Sequence, residues 1–244
     1  MRWLVAALLM ACGPAWAEVS VLTTGAFKPV ALAVAESFGA AGQPVRVAND
    51  TAGGVLRQVR AGAVFDVVVL TPPALKSLAD EGKIVPGSQI DLARVGIGVA
   101  VRAGARKPDI GTAAAFRATL LAAPRVAIID PAAGGTSGIY LIQVFERLAI
   151  GPQLRAKLVL VSGGLAADRV ADGTADMAVQ QISELQVAGT EFVGPLPDEV
   201  QTYTTYSGAI AAAAKEPEQA AAYLRALAGA EAGKVLAARG MTRP

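Results

Sequence analysis

The stretch VRVANDTAGGVLRQVRAGAVFDVVVL, residues 45–70, contains a strand, a helix and a second strand in direct succession. Residues 45–49 have the composition of a strand, and residues 55–61 place their apolar side chains at helical spacing. Residues 66–70 form a short, almost wholly apolar run, which is typical of a strand buried on both faces of a parallel sheet. The stretch therefore predicts an α/β fold.

The same unit recurs on either side of this stretch. Strands are predicted at residues 19–24, 125–129, 157–161 and 176–181, and helices at 27–38, 73–81, 139–149, 165–171, 217–227 and 230–238. Two further β-rich segments, 94–101 and 202–213, are candidate crossovers between lobes. We expect two α/β lobes with mostly parallel sheets joined by two crossover strands. One lobe would comprise residues 18–95 and 206–244, and the other residues 96–205.

The composition excludes several classes of function. The chain has no histidine, and its single cysteine is Cys12, so Ser-His-Asp and Cys-His catalysis are ruled out and a metal site is disfavoured. Lys and Arg number 22 against 20 Asp and Glu, without a basic block, which argues against a nucleic-acid partner. After the N-terminus no apolar run reaches the roughly 18 residues of a membrane span. We predict no cofactor and no metal.

The N-terminus is typical of an export signal. Arg2 precedes an apolar stretch at residues 3–11, and Ala15 and Ala17 form an A-x-A cleavage site. Cleavage after Ala17 would leave a mature periplasmic protein without cysteine. The alternative is a lipobox that ends at Cys12, which would then carry a lipid anchor.

Four predicted strands run into small, glycine-bearing turns that open helices. In open α/β sheets ligands bind at this edge, and the free N–H groups of a helix N-terminus attract anions. Any single turn of this kind is more often a simple helix cap, but four at equivalent places favour an anion site. The turns are Thr24–Ala26, Thr51–Gly54, Gly134–Gly138 and Ser162–Gly164.

Several charged and polar side chains accompany these turns. Lys28 and Arg57 lie within the first turns of two predicted helices, although the default for such residues is a solvated surface. Gln180 and Gln181 end a strand, so only one of them should reach the cleft. Tyr140 follows the third turn and could equally be a core residue.

These motifs resemble the periplasmic molybdate-binding protein family, which belongs to the type II periplasmic binding proteins. The resemblance rests on the first three turns, on the Val55–Gln58 continuation and on the Ser137–Tyr140 segment. It implies a monomeric periplasmic receptor that closes by a hinge motion on a small anion and delivers it to an ABC permease in the inner membrane. The ligand-binding residues implied by the resemblance and the charge pattern are Thr24, Gly25, Ala26, Thr51, Ala52, Gly53, Arg57, Thr136, Ser137, Gly164 and Gln181.

Departures from the family pattern point to a different ligand. Gln181 occupies a position where the family often has tyrosine, and the serines of the first two turns are replaced by Ala26 and by the glycine-rich Thr51–Gly53. A roomier cleft with guanidinium and amide groups suits organic carboxylates. Residues 180–185, QQISEL, are similar to the aconitate-isomerase-like branch of the fold. That resemblance leaves a second hypothesis, an isomerase whose base would be Glu184, Lys28 or Tyr140.

Overall fold

The computed structural model describes residues 18–244, which form ten strands and nine α-helices. The predicted signal peptide, residues 1–17, lies outside the described residues. The strands are β1 (Val19–Thr24), β2 (Val45–Asp50), β3 (Val67–Leu70), β4 (Ile90–Arg102), β5 (Val126–Ile129), β6 (Leu158–Val161), β7 (Met177–Gln181), β8 (Thr190–Pro195), β9 (Tyr203–Ile210) and β10 (Met241–Thr242). The helices are α1 (Lys28–Ala40), α2 (Ala52–Arg60), α3 (Pro72–Asp80), α4 (Ala113–Ala122), α5 (Thr136–Arg147), α6 (Gly151–Arg155), α7 (Ala166–Ala171), α8 (Pro217–Leu227) and α9 (Ala230–Ala238).

The strands follow one another in the order β2-β1-β3-β9-β4-β7-β5-β6. Strand β1 pairs in parallel with β2 and β3, and β5 pairs in parallel with β6 and β7. The two crossover strands, β4 and β9, are antiparallel to each other and to their other neighbours. Along β4 the partner changes from β9 to β7 between Gly96 and Ile97. The sheet therefore has two parallel ends joined by an antiparallel centre, while the exact lobe boundaries stay a prediction.

Helices cover both faces of each half of the sheet. In the first lobe α1, α8 and α9 pack on one face, and α2 and α3 pack on the other. In the second lobe α4, α5 and α6 cover one face, and α7 covers the other. Each buried leucine or phenylalanine in these layers stabilises the fold by roughly 1.5–3 kcal/mol. This layering holds the strand ends rigid at the edge where the predicted turns lie.

The closing helices attach the C-terminus to the first lobe. Tyr223 of α8 is fully buried, and its hydroxyl donates to the Ala31 carbonyl of α1 at 2.7 Å. Its ring meets Phe38 edge-on, with 5.3 Å between ring centroids. Within residues 18–244 no helix is long and apolar enough to cross a membrane.

Most sequence-based elements agree with the structure, but several boundaries differ and some elements were missed. The strand predicted at 19–24 is β1, whereas the segment predicted at 202–213 is only β9, and β4 begins before the predicted residue 94. Helices α4 and α6 and strands β8 and β10 were not predicted. Helix α4 is largely alanine, which hides its periodicity, but the Thr112 hydroxyl caps it by accepting from the Ala115 N–H at 3.1 Å.

Candidate active site

A cavity of about 460 Å³ lies where the carboxyl ends of β1, β2, β5 and β7 meet the starts of α1 and α5. This size is typical of a small-molecule site. The structure brings nine of the eleven predicted ligand residues to its wall: Thr24, Gly25, Ala26, Thr51, Ala52, Thr136, Ser137, Gly164 and Gln181. It does not bring Gly53 and Arg57 there. Residues that line it without having been predicted as ligands include Asn49, Asp50, Leu165, Asp168, Ser183, Gln186, Tyr206 and Arg239.

Helices α1 and α5 both begin at the cavity, but only α5 has free N–H groups there, because the Lys28 and Val30 N–H groups of α1 donate to backbone carbonyls. Helix α5 follows Gly135 and α1 follows Phe27, and within the described chain no side chain caps either helix. In α5 the first intrahelical bond is from the Ile139 N–H to the Gly135 carbonyl at 3.0 Å, so the preceding N–H groups remain available. Gly138 lets α5 approach the sheet, because a Cβ there would collide with the Ile129 carbonyl oxygen. These N–H groups and the helix dipole make this wall attractive to anions.

The start of α2 serves a different purpose, because its polar groups bind the opposite lobe. The Thr51 hydroxyl accepts from the Gly54 N–H at 3.0 Å and donates to the Ala133 carbonyl at 2.5 Å. The Gly53 N–H donates to the Gly134 carbonyl at 3.1 Å. A Cβ added at Gly134 would stand 2.6 Å from the Gly53 Cα. We call Thr51, Gly53, Ala133 and Gly134 the glycine contact.

The glycine contact explains why two predicted ligand residues are displaced from the cavity. The Gly53 N–H, expected to bind an anion, is already used by the Gly134 carbonyl. The exposed Arg57 donates from a guanidinium N–H to the Ala133 carbonyl at 3.3 Å. The prediction placed Arg57 in the cleft from its position on the helix, but the approach of the loop around residue 133 gives it an acceptor outside the cavity.

Gln181 is buried beside the cavity as the end of β7. Its Nε2 lies 2.9 Å from Thr204 Oγ1, 3.1 Å from Thr136 Oγ1 and 3.4 Å from the Tyr206 hydroxyl. Its Oε1 has no partner within the described residues. Gln180 does not line the cavity, and its Oε1 accepts instead from the Ala166 N–H at 2.7 Å. The alternation of side chains along a strand accounts for this difference.

Unpartnered buried polar atoms concentrate at the cavity. Thr24 Oγ1, Ser183 Oγ and Gln181 Oε1 all belong to lining residues and have no hydrogen-bond partner in residues 18–244. More than nine in ten buried polar groups in folded proteins are paired, and the exceptions call for an explanation. A polar ligand in the cavity would supply the missing partners.

Glu184 places a carboxyl group in this wall. It ends a short 3₁₀ turn, Ile182–Glu184, that follows β7, and its side chain lies so close to Gly25 that a Cβ at Gly25 would collide with Glu184 Oε1. Burial of the carboxyl raises the pKa of Glu184 to about 7, and the nearby Gln180 amide only partly opposes this shift. The amide does so without a well-aligned hydrogen bond, since Gln180 Nε2 has no partner of good geometry among the described residues.

Tyr206 faces Glu184 from the crossover strand β9. It is almost completely buried and lines the cavity. Burial raises the pKa of the Tyr206 hydroxyl well above its usual range, and the charge of Glu184 raises it further, while nearby Thr136, Thr24 and Gln181 oppose the shift. The hydroxyl therefore stays protonated and can donate a hydrogen bond. This role could not be predicted from the sequence, because Tyr206 lies in a β-rich segment that was interpreted only as a crossover.

The two other predicted candidates for a base differ in position. Lys28 lines the cavity, but Tyr140 does not. The Tyr140 hydroxyl lies 3.2 Å from both the Val200 and Gln201 carbonyls and accepts from Arg147 at 2.8 Å. These contacts hold Tyr140 outside the cavity, so it is not a catalytic candidate. The residues that the structure describes contain no cluster of acidic side chains suited to a metal ion.

Comparisons with known proteins place this geometry in a family. Residues 19–242 match the family described as bacterial extracellular solute-binding protein. An aconitate isomerase from Pseudomonas sp. is 36% identical over 195 residues, which are 79% of this chain and 73% of that protein. The periplasmic molybdate-binding protein of Azotobacter vinelandii superimposes with a TM-score of 0.78 at 22% identity, covering 93% of this chain and 99% of that one.

A second solved structure supports the same fold. The sulfate-binding protein SubI from Mycobacterium tuberculosis superimposes with a TM-score of 0.70 at 16% identity, over 93% of this chain and 86% of that protein. These similarities confirm the predicted type II periplasmic binding protein fold and the resemblance to molybdate-binding proteins. The chain belongs to the bacterial extracellular solute-binding protein family.

Proposed function

We propose that this protein is an isomerase that moves a proton along the allylic system of a small unsaturated polycarboxylate such as aconitate. The observation that carries the proposal is Glu184, a half-buried acidic side chain with a raised pKa in the wall of a cavity otherwise suited to anions. The similarity to an aconitate isomerase supports the substrate class. The protein would work in the periplasm after removal of residues 1–17.

A carboxylate in this position is unfavourable for simple anion capture, because it would repel a negatively charged ligand at close range. It is well suited to catalysis. A general base is most effective when its pKa lies near the working pH, and the pKa of Glu184 is about 7. In a chain without histidine, Glu184 is thus the cavity residue best matched to proton transfer near neutral pH.

The proposed reaction needs one base. A Glu184 oxygen takes a proton from the methylene carbon next to the double bond, and the electron pair of that C–H bond spreads over three carbons and the attached carboxylates. The resulting carboxylic acid of Glu184 returns the proton to the far carbon of the allylic system. The double bond has then moved by one position, with no change in composition or oxidation state.

Other groups in the cavity would stabilise the negative charge that develops on the substrate carboxylates. The free N–H groups at the start of α5, beside Thr136 and Ser137, are preorganised donors. The Tyr206 hydroxyl is a second donor, kept protonated by its raised pKa. Removing one such donor from a preorganised site typically lowers kcat by about 10²–10³-fold.

The experiment that tests the proposal replaces Glu184 with glutamine, which keeps the shape and removes the base. We expect the variant to bind cis- and trans-aconitate but to lose roughly 10²–10⁴-fold in turnover. Conversion and deuterium uptake from ²H₂O are followed by proton NMR. The exposed Glu199→Gln variant is the control for loss of one negative charge. Undiminished exchange in Glu184→Gln would reject Glu184 as the base.

A transport receptor is the second candidate. Its support is the family itself, together with the glycine contact, by which the lobes meet across the cleft. In this case the anion would be passed to an ABC permease, and the protein would bind without turnover. Wild-type protein that is stabilised by an aconitate or by molybdate but exchanges no deuterium would favour the receptor over the isomerase.

A further inference from the structure

Two cationic side chains border the cavity and have no part in the proton transfer. Lys28 is the first residue of α1, and Arg239 directly follows α9. Both line the cavity and both are half-buried. Helices α1 and α9 pack in the same core layer, and Ser37 near the end of α1 donates to Glu231 near the start of α9 at 2.6 Å. The first residue of α1 and the residue after α9 both line the wall of one cavity.

Neither cation has a side-chain partner in the described part of the protein. Six ion pairs form within residues 18–244, and none includes Lys28 or Arg239, nor does either side chain make a hydrogen bond there. The acidic side chains of the same cavity do not pair with them, and Asp50 is occupied by the Thr51 N–H and the Gln58 amide. A partly desolvated cation without a counterion is unfavourable.

The position of Lys28 is unfavourable for a second reason. A helix N-terminus carries partial positive charge, and the first turn of α1 contains no acidic residue to offset it. A lysine there weakens the helix slightly and increases the positive potential of the cavity. Arg239, by contrast, gains from the negative end of α9, so Lys28 carries more of the inference. An anionic ligand would remove the cost at both positions.

The structure also links the end of α9, next to Arg239, to the segment that carries Glu184. The Gln186 amide donates to the Ala238 carbonyl at 3.0 Å, and a Cβ at Gly240 would stand 2.6 Å from an Ile182 methyl group. The turn that carries Glu184 is thus packed on the end of α9. A substrate that reaches Glu184 has one end against this turn, within the same cavity as Lys28 and Arg239.

We propose that Lys28 and Arg239 bind a substrate carboxylate remote from the carbon that loses its proton. This inference rests on the proposed function and adds the two residues that would bind a second, separate carboxylate of the substrate. A cavity of about 460 Å³ has room for a ligand larger than a tetrahedral oxyanion, one that contacts both the start of α5 and this pair. The pair would therefore select a polycarboxylate and orient its reacting end toward Glu184.

The test measures binding of tricarballylate by isothermal titration calorimetry, because this saturated tricarboxylate has no double bond to shift. Lys28→Gln and Arg239→Gln should each weaken its binding by about tenfold or more, as expected for loss of a charged hydrogen bond. Lys28→Arg, which keeps the charge, should bind within about threefold of wild type if charge is the main requirement. The exposed Lys234→Gln on α9 is the matched control and should bind normally.

Three outcomes would overturn the inference: wild-type protein that does not bind tricarballylate, binding within about twofold in both glutamine variants, or an equal loss in Lys234→Gln. The last would show a general field effect in place of a subsite. Deuterium exchange on aconitate separates this inference from the proposed function. Binding that depends on Lys28 without exchange leaves the subsite and rejects the isomerase, whereas exchange with normal binding in both glutamine variants does the reverse.

Discussion

The two sides of the cleft treat their polar groups in opposite ways. At the glycine contact, the Thr51 hydroxyl and the Gly53 N–H find carbonyl partners on the other lobe at 2.5 and 3.1 Å. A few residues away, in what we call the polar pocket (Thr24, Gln181, Ser183, Glu184 and Tyr206), three buried polar atoms have no partner among the described residues. The polar groups of the glycine contact have protein partners, whereas those of the polar pocket would obtain partners only from a bound ligand.

This difference separates two roles, contact between the lobes and binding of the ligand, although the sequence analysis assigned all these turns to ligand binding. A buried polar group left unpaired costs about 1–3 kcal/mol, so the pocket reduces the stability of the free protein. The glycine contact contributes stability and brings the lobes together. We infer that closure is carried by the glycine contact and recognition by the polar pocket, although both are built from the same kind of glycine-bearing turn.

The largest effect on stability is expected from Glu184→Gln. The pKa of Glu184 is about 7 in the folded protein against 4.5 for the unperturbed group, so ionisation disfavours folding. Below pH 4.5 the group is neutral in both states and carries no penalty. The penalty grows as the pH rises from 4.5 to 7 and reaches about 3 kcal/mol above pH 7. The glutamine variant should escape it and melt at a higher temperature above pH 7.

Thermal unfolding between pH 4.5 and 8, without ligand, tests this expectation. Wild type and the Glu199→Gln control should lose stability relative to Glu184→Gln across this range. Parallel curves for all three proteins would show that Glu184 is solvated and titrates normally. The polar pocket would then lack the buried acid that sets it apart from the glycine contact.

The next variant, Gly134→Ala, disrupts the glycine contact. In Gly134→Ala the new Cβ would collide with the Gly53 backbone in the closed cleft, and the φ of +79° strains any side chain. We expect aconitate affinity to fall by about tenfold or more, because binding must then oppose the collision. Gly42→Ala is the matched control, with a φ of +80° and no atom within 4 Å of the added Cβ.

Gly42→Ala should lose roughly 1–2 kcal/mol of stability from the backbone strain alone, and Gly134→Ala should lose more, because it also disrupts the glycine contact. Only Gly134→Ala should lose affinity, measured by titration calorimetry. Equal affinity in the two variants would mean that the glycine contact is not needed when ligand is held.

Much of the first lobe could be predicted from sequence because its signals are local. The buried run of β3 and the proline-led starts of α1 and α3 depend on residues next to one another. The same local logic found nine residues that line the cavity. It could not distinguish the turn at Thr51, which contacts the other lobe, from the turn at Thr24, because the two turns have similar sequences.

The missed residues are those whose position depends on the whole chain. Tyr206 and Arg239 reach the cavity only because β9 returns between β3 and β4 and α9 then packs beside α1. Arg57 was misplaced for the same reason, since its acceptor, Ala133, is 76 residues away in sequence. Packing between residues far apart in the sequence determines these positions, and the spacing of apolar residues within one helix or strand does not predict it.

The smallest expected effects come from a matched pair of threonines, one from each side of the comparison. Thr51→Val removes a helix cap and the bond to Ala133, so we expect a loss of about 1 kcal/mol in the free energy of unfolding. Thr24→Val removes a buried hydroxyl that has no partner in the described chain, so the ligand-free protein should be unchanged or slightly more stable. Binding should respond in the opposite sense. Thr24→Val should weaken aconitate binding by about threefold to tenfold, as for loss of one hydrogen bond.

Chemical unfolding and titration calorimetry on the two variants decide whether the division holds. If Thr24→Val destabilises the free protein as much as Thr51→Val does, the Thr24 hydroxyl has a partner within the protein and does not depend on a ligand for one. If it leaves stability intact and lowers affinity, the unpaired hydroxyl is part of the recognition surface. The same substitution would then have opposite consequences at two turns that the sequence cannot tell apart, because a ligand completes one and a neighbouring lobe completes the other.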